Sequence, residues 1–245
     1  MARVTEEHIE ARRNQIVEAA WHCFARKGYH ESTMQDIGAE AGLSAGAIYR
    51  YYPSKEALLK ASNERSQEMG RTLLEAARSQ AHGPLDVLQA LGQTLFSVFY
   101  DPMFEPTARV NLEIMPEFIR SPELRGSLRE ELAFWRKAIA ELVEEAQRRG
   151  EMREDLNSES AVVLFICAWQ GLRECRLIDP ESFTPEHVID AFSTMMAGDA
   201  GAGLTIELDR TAGAYPGALL QPPLTARMPR RRSRKKEAED GRVLS

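Results

Sequence analysis

The sequence predicts an all-α protein, a small N-terminal helical unit followed by a larger helical domain. No segment of the 245 residues sustains the apolar–polar alternation of a half-buried strand. Apolar residues recur instead at three-and-four spacing, in stretches closed by Gly, Pro, Ser or Thr. A hydrophobic content of 43% is ample for a packed core at this length.

The first helix is expected over residues 12–27, where Ile16, Ala20, Cys23 and Phe24 share a face and Gly28 supplies a left-handed cap. Thr33 is placed to cap a second, with Asp36 three residues on and Ile37 and Ala41 facing inward before Gly42 ends it. Ser44 caps a third, over residues 45–52, which Pro53 terminates. Ser54 then caps a fourth that runs from 55 to 81. Two short helices joined by a Gly-containing turn, with another packed across them, form a helix-turn-helix arrangement.

Longer helices follow over residues 85–100, 107–119, 124–149, 158–177 and 185–197. Pro116 should kink or end the second of these near Met115. Leu124, Leu128, Leu132, Trp135, Ile139, Leu142 and Ala146 form one stripe, the pattern of a core-facing helix. The stretch AVVLFICAW from Ala161 is apolar on nearly every side, so at least two of its faces need cover, by the core and by a partner subunit. Beyond Gly198 the chain turns rich in Gly, Ala and Pro and ends in a basic cluster, Arg227 to Lys236, which reads as a disordered tail. The expected organisation is therefore 1–54 as the helix-turn-helix unit, 55–198 as the larger domain and 199–245 as the tail.

Charge is unevenly distributed within the net −6. Residues 1–60 carry eight Lys/Arg against eight Asp/Glu, the middle is acidic, and residues 227–245 carry eight against three, so an anionic partner should dock at an end. No window approaches the roughly 18 apolar residues of a membrane span, and MARVTEEHIEARR has no apolar leader core, so no membrane association and a cytoplasmic address are expected. Cys167 and Cys175 lie eight apart on one expected helix, out of disulfide reach, and Cys23 is remote in sequence. Neither metal-ligand spacing, a glycine-rich phosphate loop nor a nucleophile motif is present, and no histidine falls in the helices between 85 and 177. No metal, cofactor or catalytic residue is expected.

From Ile16 to Leu59, IVEAAWHCFARKGYHESTMQDIGAEAGLSAGAIYRYYPSKEALL closely resembles the DNA-binding pattern of the tetracycline-repressor-like (TetR) regulators. The likeness continues loosely to about residue 198, with the phrases PELR and RRGEMREDL. It implies a homodimer that binds double-stranded, palindromic operator DNA with the third helix of each head in the major groove. The side chains agree with that reading. Ser44, Ala45, Gly46 and Ala47 leave little bulk at the start of that helix, so backbone can approach phosphate and the Ala47 methyl a thymine methyl. Tyr49 and Tyr51 can donate hydroxyl bonds to phosphate or base edges, and Arg50 can reach phosphate or guanine. Ile48 and Tyr52 should face the other two helices, and the tyrosines could also be plain core. Thr33 and Lys55 match positions that hold the DNA backbone, and Gln35 one that reads a base. With so few long side chains for direct readout, DNA shape and half-site spacing should share in specificity.

The resemblance further implies a small-molecule effector enclosed by the C-terminal helices, and dimerisation through the 158–177 and 185–197 helices as a four-helix bundle. Phe96, Phe99, Met103, Phe104, Met115, Phe118, Trp135 and Trp169 cluster in segments that could surround a largely apolar or aromatic effector, with Asn111 and Arg173 to orient it. For each of these, ordinary core packing is the alternative, and for Arg173 an exposed or interface position. The function expected is a dimeric repressor released by its ligand. An activator or a ligand-independent regulator of the same fold, or a helical enzyme, are the alternatives.

Overall fold

A computed structural model of the chain describes residues 6–196, which form nine α-helices and one 3-10 turn, with no β-strand among them. The basic cluster and the tail expected over 199–245 lie outside the described residues. The helices are α1 (Glu6–Lys27), α2 (Met34–Ala41), α3 (Ala45–Tyr49), α4 (Lys55–Gln80), α5 (Pro84–Ser97), α6 (Phe104–Arg120), α7 (Pro122–Arg148), α8 (Ser158–Ile178) and α9 (Pro185–Met196). The 3-10 turn Val98–Tyr100 extends α5.

Local chemistry sets most of the boundaries. Thr33 closes a full capping box, its Oγ1 accepting from Asp36 N at 3.1 Å while Asp36 Oδ2 accepts from Thr33 N at 3.0 Å. Gly42 ends α2 at φ 67°, the left-handed conformation that glycine adopts without a Cβ penalty. Ser44 and Ser54 accept from Ala47 N and Ala57 N at the starts of α3 and α4.

Several boundaries depart from expectation, α6 among them, which begins at Phe104 and not at 107. Helix α1 is already helical at Glu6, six residues ahead of 12, through an exposed polar turn that carries Glu6, Glu7 and Glu10. Helix α3 stops at Tyr49: the amides of Tyr51 and Tyr52 both bond to Ile48 O, closing a turn ahead of Pro53. Helix α6 runs through Pro116 to Arg120 without ending at Met115. Leu112, whose carbonyl loses its helical donor at Pro116, is 48% exposed, so water can satisfy it.

Packing divides into three apolar clusters. The first joins α1, α2 and α3 through Ile16, Phe24, Ile37 and Ile48 to Leu58 and Leu59 of α4 and to Val110, Ile114 and Phe118 of α6, so the head rests on the body through α4 and α6. The second gathers Leu74, Leu88, Trp135, Leu142 and Met196 around α7. The third is an aromatic knot of Phe96, Phe99, Phe104 and Trp169, with edge contacts of Trp169 to Phe96 and Phe99 at 5.5 and 5.2 Å between centroids. Among the described residues no helix is long and apolar enough to cross a membrane.

Candidate functional site

The head presents α3 on a rigid support. Gly38 lets α2 and α3 meet, since a Cβ there would stand 3.0 Å from Leu43 O and 3.3 Å from Ala45 N. Ile48 is fully buried and Tyr52 nearly so, which turns the opposite side of α3 outward. There Gly46, Tyr49 and Arg50 are exposed, with Tyr49 at 54%, and Ala45 and Ala47 are half-buried. Gln35 of α2 is exposed as well. The side chains of Gln35, Tyr49 and Arg50 make no hydrogen bond or ion pair among the described residues, so their donors are available to an external acceptor. Gly46 has open space where a Cβ would stand, so backbone can come close to a docked surface.

The remaining head residues have structural work in the fold. Thr33 is exposed, but its hydroxyl accepts from Asp36 N and donates to Asp36 Oδ2 at 2.8 Å. Lys27 and Thr33 together hold the Asp36 carboxyl down at about 2. Ser44 is committed as the α3 cap. Tyr51 is half-buried, packed on the head core, and its neighbour Lys55 points back into the protein. Lys55 Nζ donates to Tyr29 O at 2.8 Å and His30 O at 3.1 Å and lies over the Tyr29 ring, and burial pulls its pKa down. It pins the α1–α2 corner to α4. Glu113 of α6 grips the same corner from the other side, accepting from Tyr29 N at 2.6 Å.

The body encloses an apolar cavity of about 110 Å³ among α4, α5, α7, α8 and α9, the scale of a single ring. Gly70, Leu88, Trp135, Val143, Phe165 and Phe192 are among its walls, and among the described residues Thr94 brings a hydroxyl and Trp135 an indole N–H to an otherwise apolar lining.

The aromatic and polar residues expected to form one ligand site are distributed over four places. Phe96 and Trp135 line the apolar cavity. Phe99, Phe104 and Trp169 pack in the aromatic knot beside it, and half-buried Met103 precedes α6. Asn111, Met115 and Arg173 line a separate cavity between α6 and α8. Phe118 lies in the head core, because uninterrupted α6 carries Val110, Ile114 and Phe118 on one face and Asn111 and Met115 on another. The sequence reading did not place Gly70, Leu88, Val143 or Phe165 at a cavity, and took Phe192 as part of the 185–197 dimerisation helix. Gly70 alone left a signal, a glycine inside a long helix where a close approach is the usual reason for its cost.

A helix-turn-helix head with unengaged donors on its outer helix, carried on a helical body with an apolar cavity, has the architecture of a DNA-binding transcriptional regulator. Residues 16–62 match the bacterial regulatory proteins of the tetR family, and residues 114–192 match the tetracyclin repressor-like C-terminal domain. The chain is 30% identical over 186 residues to the HTH-type transcriptional regulator TtgR of Pseudomonas putida, an alignment covering 74% of this chain and 88% of that one. It is 29% identical over 160 residues to the HTH-type transcriptional repressor Rv1474c of Mycobacterium tuberculosis, covering 65% and 79%. Among solved structures, that of a SmeT–triclosan complex superposes with a TM-score of 0.65 at 20% identity, over 81% of this chain and 99% of that one. The chain belongs to the tetR family of bacterial regulators. Such regulators bind operator DNA and small-molecule effectors, typically as dimers.

Proposed function

We propose that the protein is a dimeric repressor that occupies a palindromic operator and leaves it when a small apolar molecule enters the α4–α9 cavity. The observation that carries this reading is the outward side of α3, where Tyr49 and Arg50 stand free beside the bare backbone of Gly46. Repression follows mechanically from occupying promoter DNA, and the resemblance to Rv1474c supports that sign. The apolar cavity supports a neutral effector, since a charged group would be desolvated there without a partner. Gln35, Ala45 and Ala47 are assigned to the DNA surface with Tyr49 and Arg50. Thr33, Ser44, Tyr51 and Lys55 are assigned to it as supports of that surface, and their exposed edges to phosphate.

A DNase I footprint of the full chain on the DNA flanking its gene, at fixed salt, tests the reader. A protected palindrome should appear with the wild type and weaken about tenfold or more in Tyr49→Ala. Equal protection by Tyr49→Ala would remove that residue from the DNA surface.

The dimer face is assigned to the outer sides of α8 and α9, where Leu164 is 66%, Val163 42% and Met195 67% exposed. These side chains project away from the cavity, unlike Phe192, which packs on Phe165 at 5.1 Å. Leu164→Asp should therefore convert the dimer to a monomer in light scattering without lowering its helix content. A variant that keeps the dimer mass would place the interface elsewhere.

A further inference from the structure

DNA attracts a protein chiefly through cations that displace the counterions of its phosphates, a term independent of sequence. The head is poor in such cations. Residues 1–60 carry eight Lys/Arg against eight Asp/Glu and residues 61–226 carry 15 against 26, so the first stretch is neutral and the second acidic. Most described cations of the first stretch are also engaged. Arg13, Arg26 and Lys27 pair with Glu10, Glu40 and Asp36, Lys60 pairs with Glu123, and Arg12 donates to Gln15 Oε1 at 2.8 Å. A carboxylate held beside a cation cancels most of its pull on a phosphate. Lys55 is turned inward onto Tyr29 O and His30 O. Among the described residues of the head, Arg50 is the one cation that meets no protein group. Gln35 and Tyr49 are neutral, so they can fix position on a duplex but release no counterion.

The surplus of positive charge lies at the other end of the sequence, where Arg227 to Lys236 include seven Lys/Arg and no Asp/Glu. We propose that this basic cluster is a second DNA contact, which grips phosphates without regard to sequence and supplies the attraction that the head lacks. It rests on the operator reading only in that both ends of the chain meet the same duplex. The covalent length suffices. Met196, the last described residue, belongs to the cluster around Leu74 of α4, while the head rests on Leu58 of the same helix, about 24 Å away along its axis. The 30 residues 197–226 can span up to about 100 Å. Once α3 holds a duplex, the tether keeps the cluster at high local concentration beside it.

Fluorescence anisotropy of a labelled duplex of random sequence, between about 50 and 200 mM KCl, tests this. The full chain is compared with a full-length variant in which all seven Lys/Arg of 227–236 become glutamine. At the lowest salt the wild type should bind at least about tenfold more tightly, and its log K should fall more steeply with log salt by about 0.9 for each phosphate that the cluster meets. Equal affinities and slopes would overturn the proposal. Tighter binding by the variant would overturn it too, placing the cluster against the acidic body, as would a cluster-dependent affinity for phosphatidylglycerol vesicles that exceeds the one for the duplex. Because the duplex holds no operator, the comparison stands whether or not α3 reads one, and introducing Tyr49→Ala into both proteins should leave the difference between them unchanged. The operator reading stands or falls on its own footprint.

Discussion

Replacing Glu131 with glutamine should stabilise the protein by about 3 kcal/mol at pH 8 and change little at pH 4. Glu131 is 1% exposed on the face of α7 that meets α4, and neither carboxyl oxygen has a hydrogen-bond partner. The two α4 side chains near enough to soften the charge also engage other groups, and neither meets hydrogen-bond geometry with the carboxyl. Gln67 Nε2 donates to Ser127 O at 3.2 Å and to Ser127 Oγ at 3.3 Å, and the Arg71 guanidinium lies over the Phe134 ring, 4.1 Å from its centroid. Burial therefore pushes the carboxyl up from 4.5 to about 7, with Gln67 and Arg71 only softening the shift. A raised carboxyl pKa favours the folded state fully below the unfolded value, and that contribution is lost as pH rises through the folded one. The window is thus about pH 4.5 to 7, and above it the wild type holds an ionised group in a dry seam. Glutamine keeps the shape and never ionises. Thermal unfolding of both proteins from pH 4 to 9 gives the answer: curves that diverge above pH 5 support the argument, and parallel curves would mean that the carboxylate finds a donor on α4.

The seam and the head differ in how far the sequence foretells them. In the head each decision is made within four residues: Thr33 with Asp36, Gly42 at positive φ, Ser44 and Ser54 as caps, Pro53 between them. Short-range chemistry of that kind is written in local pattern, so the helix-turn-helix unit and the exposure of Tyr49 were legible. In the body the same residue types face different partners according to helix phase and continuity. Phe118 and Met115 are three apart, yet one enters the head core and the other a cavity on α8, because Pro116 does not break α6. Lys55 was legible as a cation at a helix start, but its inward turn to Tyr29 O and His30 O depends on where the α1–α2 corner lies, which is tertiary information. The charge of Glu131 gave no warning either, as it sits beside exposed Glu130 in an amphipathic helix.

Gly70→Ala should abolish ligand entry to the apolar cavity while leaving the fold intact. A Cβ at this position would stand 2.6 Å from Trp135 Cζ2, inside any permitted contact. The indole is rigid and cannot yield at its tip as a lysine would, so the whole ring must move, and the open direction is the cavity that Gly70 and Trp135 both line. With only about 110 Å³ available, a ring displaced into it removes the space for one more. The stability cost of repacking, about 1 to 3 kcal/mol, is offset in part by the better helix propensity of alanine, worth about 1 kcal/mol. Affinity for a neutral single-ring probe such as benzene should fall at least about tenfold, against a loss in stability of no more than about 2 kcal/mol. Titration with benzene, with operator binding in its absence as the check on the head, reads the first quantity, and urea unfolding reads the second. Unchanged benzene affinity in Gly70→Ala would mean that α4 and α7 move apart to admit the methyl, and that the walls of the cavity are set by mobile helices and not by the Trp135 ring.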